Sequence, residues 1–187
     1  DNIKSYVAIK ILRPKVEKDI KKDLNNFFIT ANFLEKFFSE ARRLRLTDVV
    51  KTLAESLSME VDLRLEAAAQ SEMRGNTIDD KYFIIPNVYW DLTRKNILIS
   101  EWVEAIPAKD LNELNNKKIN LKKVGKNILR AFLTTSIRDG LFHADMHQGN
   151  LFVEKGEKII AVDFGIVGHL DFDSKQYLNN ILLGFIN

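Results

Sequence analysis

Two aspartates and an asparagine in the second half of the chain have the types and spacing for chemistry. Asp145 lies within Phe142-His-Ala-Asp-Met-His-Gln-Gly-Asn150, and Asp163 opens Asp163-Phe164-Gly165. An Asp followed five residues later by Asn has the spacing of a phosphoryl-transfer catalytic loop. There the carboxylate accepts or orients the proton of an attacking oxygen, and the asparagine amide oxygen ligates magnesium. Asp163 ends an apolar run, where a carboxylate suits a hard cation bridging nucleotide phosphates. The transferred group passes through a highly charged state, so metal and positioning carry most of the rate. Asp145 is therefore the candidate catalytic residue, with Asn150 and Asp163 as candidate magnesium ligands. A metal site on His143 and His147 is the competing reading. It finds no third ligand nearby beyond Asp145, so zinc is not expected.

Val7-Ala8-Ile9-Lys10 supplies a cation. On a strand Lys10 points away from the face of Ile9, and a lysine flanked by apolar residues there needs an anionic partner. Nucleotide phosphates and a helix carboxylate would serve; a surface lysine on an edge strand is the plainer alternative. Glu60, Asp62 and Glu66 offer the carboxylate. Glu60 and Glu66 are six positions apart and sit on different faces of a regular helix. Glu66, beside the Ala67-Ala-Ala69 stretch that permits close approach, is the first choice. Ile97-Leu-Ile-Ser-Glu-Trp-Val-Glu104 starts apolar and turns polar. It is either a half-buried strand or one whose backbone at Glu101 and Val103 can meet an adenine edge.

The elements that must position these residues follow from the pattern. Ser5–Leu12 reads as a strand stopped by Pro14. Apolar residues from Ile20 to Leu44 recur at helical spacing and predict one long amphipathic helix. Thr47 can cap a second helix running past Ala68 to Gly75. Strands are expected near Asn87–Asp91 and Asn96–Val103, separated by a turn at Leu92–Lys95. Lys122–Asp139 reads as a helix ended by Gly140, and Leu151–Val153 and Ile159–Val162 as a hairpin around Gly156. Tyr177–Ile186 reads as the start of another helix.

With 187 residues, 45% hydrophobic and 29% charged, the composition is that of a folded protein. A net charge of +2 gives no reason to expect nucleic acid as a partner. The absence of cysteine excludes disulfides and thiolate metal sites. No run is long and apolar enough to span a bilayer.

Taken together, the residues resemble the UbiB family of atypical kinases, also called the ADCK group. The resemblance rests on Val7-Ala-Ile-Lys10, on Glu60-Val-Asp62 followed by Glu66-Ala67, and on Glu101-Trp-Val-Glu-Ala105. It rests above all on the loop Phe142–Asn150, with Gly168-His-Leu170 after Asp163-Phe-Gly165. Met146 and Gln148 stand where the family usually has prolines, and Ala105 where it has glycine. The first glycine is Gly75, so no glycine-bearing loop precedes Lys10. Nor does the chain carry the family's alanine-rich nucleotide loop or its Lys-x-Gly-Gln element, and an internal piece of a longer protein, or a degenerate or split version of one, is expected.

The resemblance implies an α+β, protein-kinase-like two-lobe fold. Residues 1–104 would form a partial N-lobe with an incomplete sheet and family-specific helices, and 105–187 a partial helical C-lobe. It implies a Lys10–Glu66 ion pair, Asp145 as catalytic aspartate, magnesium on Asn150 and Asp163, and ATP with Mg2+ as cofactors. It also implies support of ubiquinone (coenzyme Q) biosynthesis, with quinone-precursor lipids and other proteins of that process as partners. The location would be peripheral, on the cytoplasmic side of a bacterial inner membrane or in mitochondria. Two other readings stay open: a small-molecule phosphotransferase of the aminoglycoside or choline kinase kind, and a non-catalytic pseudokinase-like fragment binding a partner or lipid. The Phe-rich helix, with Phe27, Phe28, Phe33, Phe37 and Phe38, either packs on other parts of the domain or contacts lipid or a partner.

Overall fold

The computed structural model describes residues 6–186. Strand β1 (Val7–Ile11) pairs antiparallel with β3 (Ile97–Glu101), setting Lys10 opposite Leu98. Ser5, the expected first residue of β1, lies outside the described residues.

The expected long helix is two. Helix α1 (Val16–Phe37) ends where Phe38 is extended, and α2 (Ser39–Leu44) follows. Periodicity continues across the break, but the chain must reverse so that α3 (Leu46–Glu60) can pack along α1. Glu35 pins that reversal, its carboxylate accepting from the N–H of Thr47 at 2.8 Å and from its hydroxyl at 3.0 Å. Thr47 is thus inside α3 rather than its cap, a place held by Arg45 in the left-handed region. The expected second helix also divides. Asp62 is extended and caps α4 (Leu63–Thr77), accepting from Arg64 N–H at 3.1 Å. An acceptor on the first turn satisfies a donor the helix cannot. Gly75 lies within α4 and does not end it.

The expected strand near Asn87–Asp91 reduces to a single bridge, Val88 to Ser100, and the strand instead is β2 (Phe83–Ile84). Pro86 interrupts the ladder because it has no N–H to donate. Strands β6 (Leu151–Glu154) and β7 (Lys158–Ala161) form the expected hairpin, with Gly156 at φ 84°. With β2 and β4 (Ile106–Pro107) they make a four-stranded sheet in the order β2-β7-β6-β4. A third pair joins β5 (Leu141–His143) to β8 (Val167–His169), with Leu141 opposite His169.

Helices α5 (Leu111–Asn116) and α6 (Leu121–Thr134) follow β4, and α7 (Phe172–Ile186) closes the fold. Helix α6 continues into a π turn over Thr135–Asp139. The hydroxyls of Thr135 and Ser136 donate back to the carbonyls of Ala131 and Phe132, which loosens the regular ladder. Gly140, at φ 72°, ends it.

One core joins α4, α6 and the sheets. Met73, Phe83 and Ile85 pack in it with Leu114, Leu141, Ile159 and Phe164, so residues on either side of position 104 share it. Full burial of each such side chain stabilises by about 1.5–3 kcal/mol. A smaller cluster of Leu63, Ala67, Val88 and Leu98 fixes α4 against β3. No described helix is long and apolar enough to cross a membrane.

Candidate functional site

The site begins with a cation held between two carboxylates. Lys10 Nζ donates to Glu66 at 2.8 and 2.9 Å, and to Asp163 Oδ1 at 2.9 Å. β1 presents Lys10, and α4 presents Glu66 from its first turn, where the helix dipole favours negative charge. Asp62 starts that helix and so sets where Glu66 points. Arg64, paired with it at 2.6 Å, holds the Asp62 carboxyl down to about 2. Glu66 is only 8% exposed, and burial raises its pKa against the opposing pull of Lys10. Burial would lower Lys10, but hydrogen bonds and charge from Glu66 and Asp163 outweigh it and the net shift is upward. For Asp163 burial pushes up, and Lys10 reverses the sign, leaving a net downward shift. The net shifts thus favour the charged forms of Lys10 and Asp163, whereas at Glu66 burial works against the charge that Lys10 supports.

Of the three acids weighed as partners for Lys10, Glu66 is the one that reaches it. Asp62 is turned to Arg64 and to the helix start.

The loop from β5 to β6 is built around His143. Its ring is 2% exposed and lies against Phe164 at 4.9 Å between centroids. Nε2 lies 3.1 Å from the carbonyl of Val162, and Nδ1 accepts from Asp145 N–H at 3.1 Å. That pair of partners requires the neutral ring with its proton on Nε2. Burial accordingly lowers the His143 pKa, against the opposing carbonyl. His143 thereby ties the backbone of Asp145 to the residue before Asp163. Ala144 N–H repeats the link by donating to the carbonyl of Ile166 at 3.1 Å.

Asn150 is also buried. Its Nδ2 donates to the Asp145 carbonyl at 3.1 Å and to Oδ2 at 3.2 Å. The amide nitrogen is thus committed to Asp145, and Oδ1 has no hydrogen-bond partner among the described residues. Val162 N–H donates to the carbonyl of Asn150 at 2.9 Å, bringing Asn150 alongside Asp163. Asp163 itself is left-handed, with φ 63°, a conformation in which Asp is tolerated and most side chains are strained.

Lys10, Glu66 and Asp163 are among the residues lining a cavity of about 510 Å3. Ala8, Leu98, Val103, Pro107, Phe152 and Val162 supply apolar walls, and Glu101 also reaches it. The Glu101 N–H donates to Asn87 O at 2.8 Å, and its carboxylate accepts from Asn87 N–H at 3.1 Å. The N–H and carboxylate of Glu101 are therefore engaged in holding the strand end. The N–H and C=O of Val103 have no hydrogen-bond partner among the described residues. Sequence reasoning passed over Gln70, which lines the cavity and donates to the carbonyl of Pro86 at 2.8 Å. Its place one helical turn beyond Glu66, on the same face of α4, was the available signal.

The donor set fits magnesium. Asn150 Oδ1 and the Asp163 carboxylate are hard oxygen donors on segments tied by the Val162–Asn150 backbone hydrogen bond, and Asp163 is half exposed. Among the described residues no three His, Cys, Asp or Glu cluster to cage an ion. A magnesium ion keeps water and takes phosphate oxygens, so it would need few ligands from the protein.

The model of the ABC1 atypical kinase-like domain matches residues 2–187. A probable protein kinase UbiB from Marinobacter nauticus is 40% identical over 183 residues, which is 96% of this chain and 34% of that protein. Its counterpart from Histophilus somni is 35% identical over 97% of this chain and 34% of its own length. The chain thus spans about a third of the curated relatives it matches. Among solved structures, the Rv3197–erythromycin complex from Mycobacterium tuberculosis superposes with a TM-score of 0.71 at 26% identity. The match covers 88% of this chain and 41% of that one. The mixed α+β architecture, the domain match across nearly the whole chain and the identity to these relatives agree: this chain belongs to the UbiB-type family of ABC1 atypical kinase-like domains.

Proposed function

We propose that this chain carries the nucleotide- and magnesium-binding core of an ATP-dependent atypical kinase or ATPase that supports ubiquinone biosynthesis. The observation that carries the reading is the convergence of Lys10, Glu66 and Asp163 in the lining of an apolar cavity, with the Asp145–Asn150 pair tied to the adjoining backbone at Val162. Magnesium bound there would neutralise charge on the transferring phosphoryl group.

The roles divide by position. The backbone of Val103, unpartnered among the described residues, takes the adenine edge, while Glu101 fixes the strand end. Lys10 turns from Asp163 to the phosphates while Glu66 keeps it oriented. Asn150 Oδ1 and Asp163 hold the metal. Asp145 takes the proton of an attacking hydroxyl or water as that oxygen bonds to the terminal phosphorus. The bond from that phosphorus to the bridging oxygen breaks, and ADP leaves with the electron pair.

The quinone-pathway assignment follows the UbiB name of the relatives, as do quinone-precursor lipids and companion proteins of that pathway as partners. Peripheral contact with the cytoplasmic face of a bacterial inner membrane completes the reading. The exposed phenylalanines of α1, Phe27, Phe33 and Phe37, supply apolar surface that such contact would use.

The test is magnesium-dependent thermal stabilisation by ATP or ADP. A shift that disappears in Asp163→Asn is expected. No shift with either nucleotide sinks the reading. Binding of quinone-precursor lipids rather than aminoglycosides then separates this family from small-molecule phosphotransferases.

A further inference from the structure

His147 sits two residues after Asp145, and its ring is held by Gly149. The Gly149 N–H donates to His147 Nδ1 at 2.9 Å. A Cβ at Gly149 would lie 2.5 Å from His147 Cε1, so a larger residue there would push the ring away. With Nδ1 accepting, a neutral ring carries its proton on Nε2. That atom lies 3.6 Å from Asp145 Oδ2. Oδ2 is also the oxygen that Asn150 Nδ2 approaches at 3.2 Å. Oδ1 has no donor among the described residues.

We infer that His147 is a positioning residue for Asp145: with Asn150 it holds Oδ2 and so presents Oδ1 to the attacking oxygen. A carboxylate's last torsion is broad, so one donor leaves it free to swing and two donors on the same oxygen select one orientation. The 3.6 Å separation exceeds a hydrogen bond, and catalytic contacts of this kind tighten when substrate is bound. Gly149 is the second half of the device, since it sets both the tautomer and the place of the ring. The role rests on the nucleotide-dependent phosphotransfer reading above.

The test compares wild type, His147→Gln and His147→Phe in the full-length protein, measuring Mg-ATP turnover and nucleotide-dependent thermal shift. Phe keeps the shape of the ring but loses the Nε2 donor together with the Nδ1 acceptor of Gly149 N–H, so kcat should fall roughly tenfold or more with KM for ATP within about twofold. Gln places an amide N–H near the position of Nε2 and should recover most of the loss. Unchanged kcat in His147→Phe, a loss confined to KM, or no recovery with Gln overturns the role while the nucleotide reading stands. A wild-type protein with neither turnover nor nucleotide shift overturns both. Imidazole 15N spectra give a readout independent of turnover. A protonated Nε2 that shifts on Asp145→Asn is expected; a ring proton on Nδ1 overturns the inference.

Discussion

Lys10 and Glu66, 56 residues apart, meet at 2.8 Å, and the lysine reaches Asp163 on its other side. Lys10 is the hinge of this triad because Glu66 is buried and Asp163 is not. Replacing Lys10 by Met leaves the Glu66 carboxylate buried without its cation. The expected loss is roughly 1–3 kcal/mol, toward the lower figure because Lys10 is partly solvated. A carboxyl whose folded pKa is raised loses stability as pH climbs above its ordinary value of 4.5. The Lys10→Met deficit should therefore grow from acid toward neutral pH and shrink on adding Glu66→Gln. Urea denaturation across that range measures it; a deficit indifferent to pH would contradict the account.

Asp145→Asn separates chemistry from binding. The amide keeps the shape of the side chain but cannot take a proton. Turnover of Mg-ATP should fall about 10^2- to 10^4-fold, while thermal stabilisation by the nucleotide survives. Loss of binding together with turnover would move Asp145 out of the catalytic role.

His143 makes stability depend on pH in the opposite sense. Its folded pKa is lowered from 6.5, so the unfolded chain binds more protons in the window below that value. Stability should rise with pH up to about 6.5 and level off above it. The difference between wild type and His143→Gln, followed by denaturation at pH 5 to 8, isolates this slope from other titrations. A flat difference would mean that the ring is not held neutral.

Gly140 joins the end of the π turn to β5 with φ 72°, and an added Cβ would lie 2.7 Å from the carbonyl of Leu170. Leu170 N–H donates to the Gly140 carbonyl at 2.7 Å, so the two strands of backbone cannot easily part. Gly140→Ala combines left-handed strain of about 1–2 kcal/mol with that clash. A thermal melt should show a midpoint lower by several degrees, and an unchanged midpoint would contradict the close approach.

Local sequence information was enough wherever neighbouring residues decide the outcome. The strand carrying Lys10, the hairpin around Gly156 and the helix ended by Gly140 follow from alternation, turn chemistry and a glycine stop. The spelling of Phe142–Asn150 and of Asp163–Gly165, with Lys10, led to the family that the chain proves to belong to. Periodicity was blind to the breaks at Phe38 and Asp62, because the apolar spacing runs on through both while the chain turns for tertiary reasons. At Phe38 the decision belongs to Glu35 gripping Thr47, and at Asp62 to a cap that starts a new helix toward Lys10. Only the tertiary structure showed that His143 is a buried neutral strut and that the Glu101 carboxylate serves Asn87. The same is true of Asn150 Nδ2, which donates to one oxygen of Asp145. Each of these depends on which distant group fills a side chain's hydrogen-bonding capacity, and residue type alone does not specify that partner.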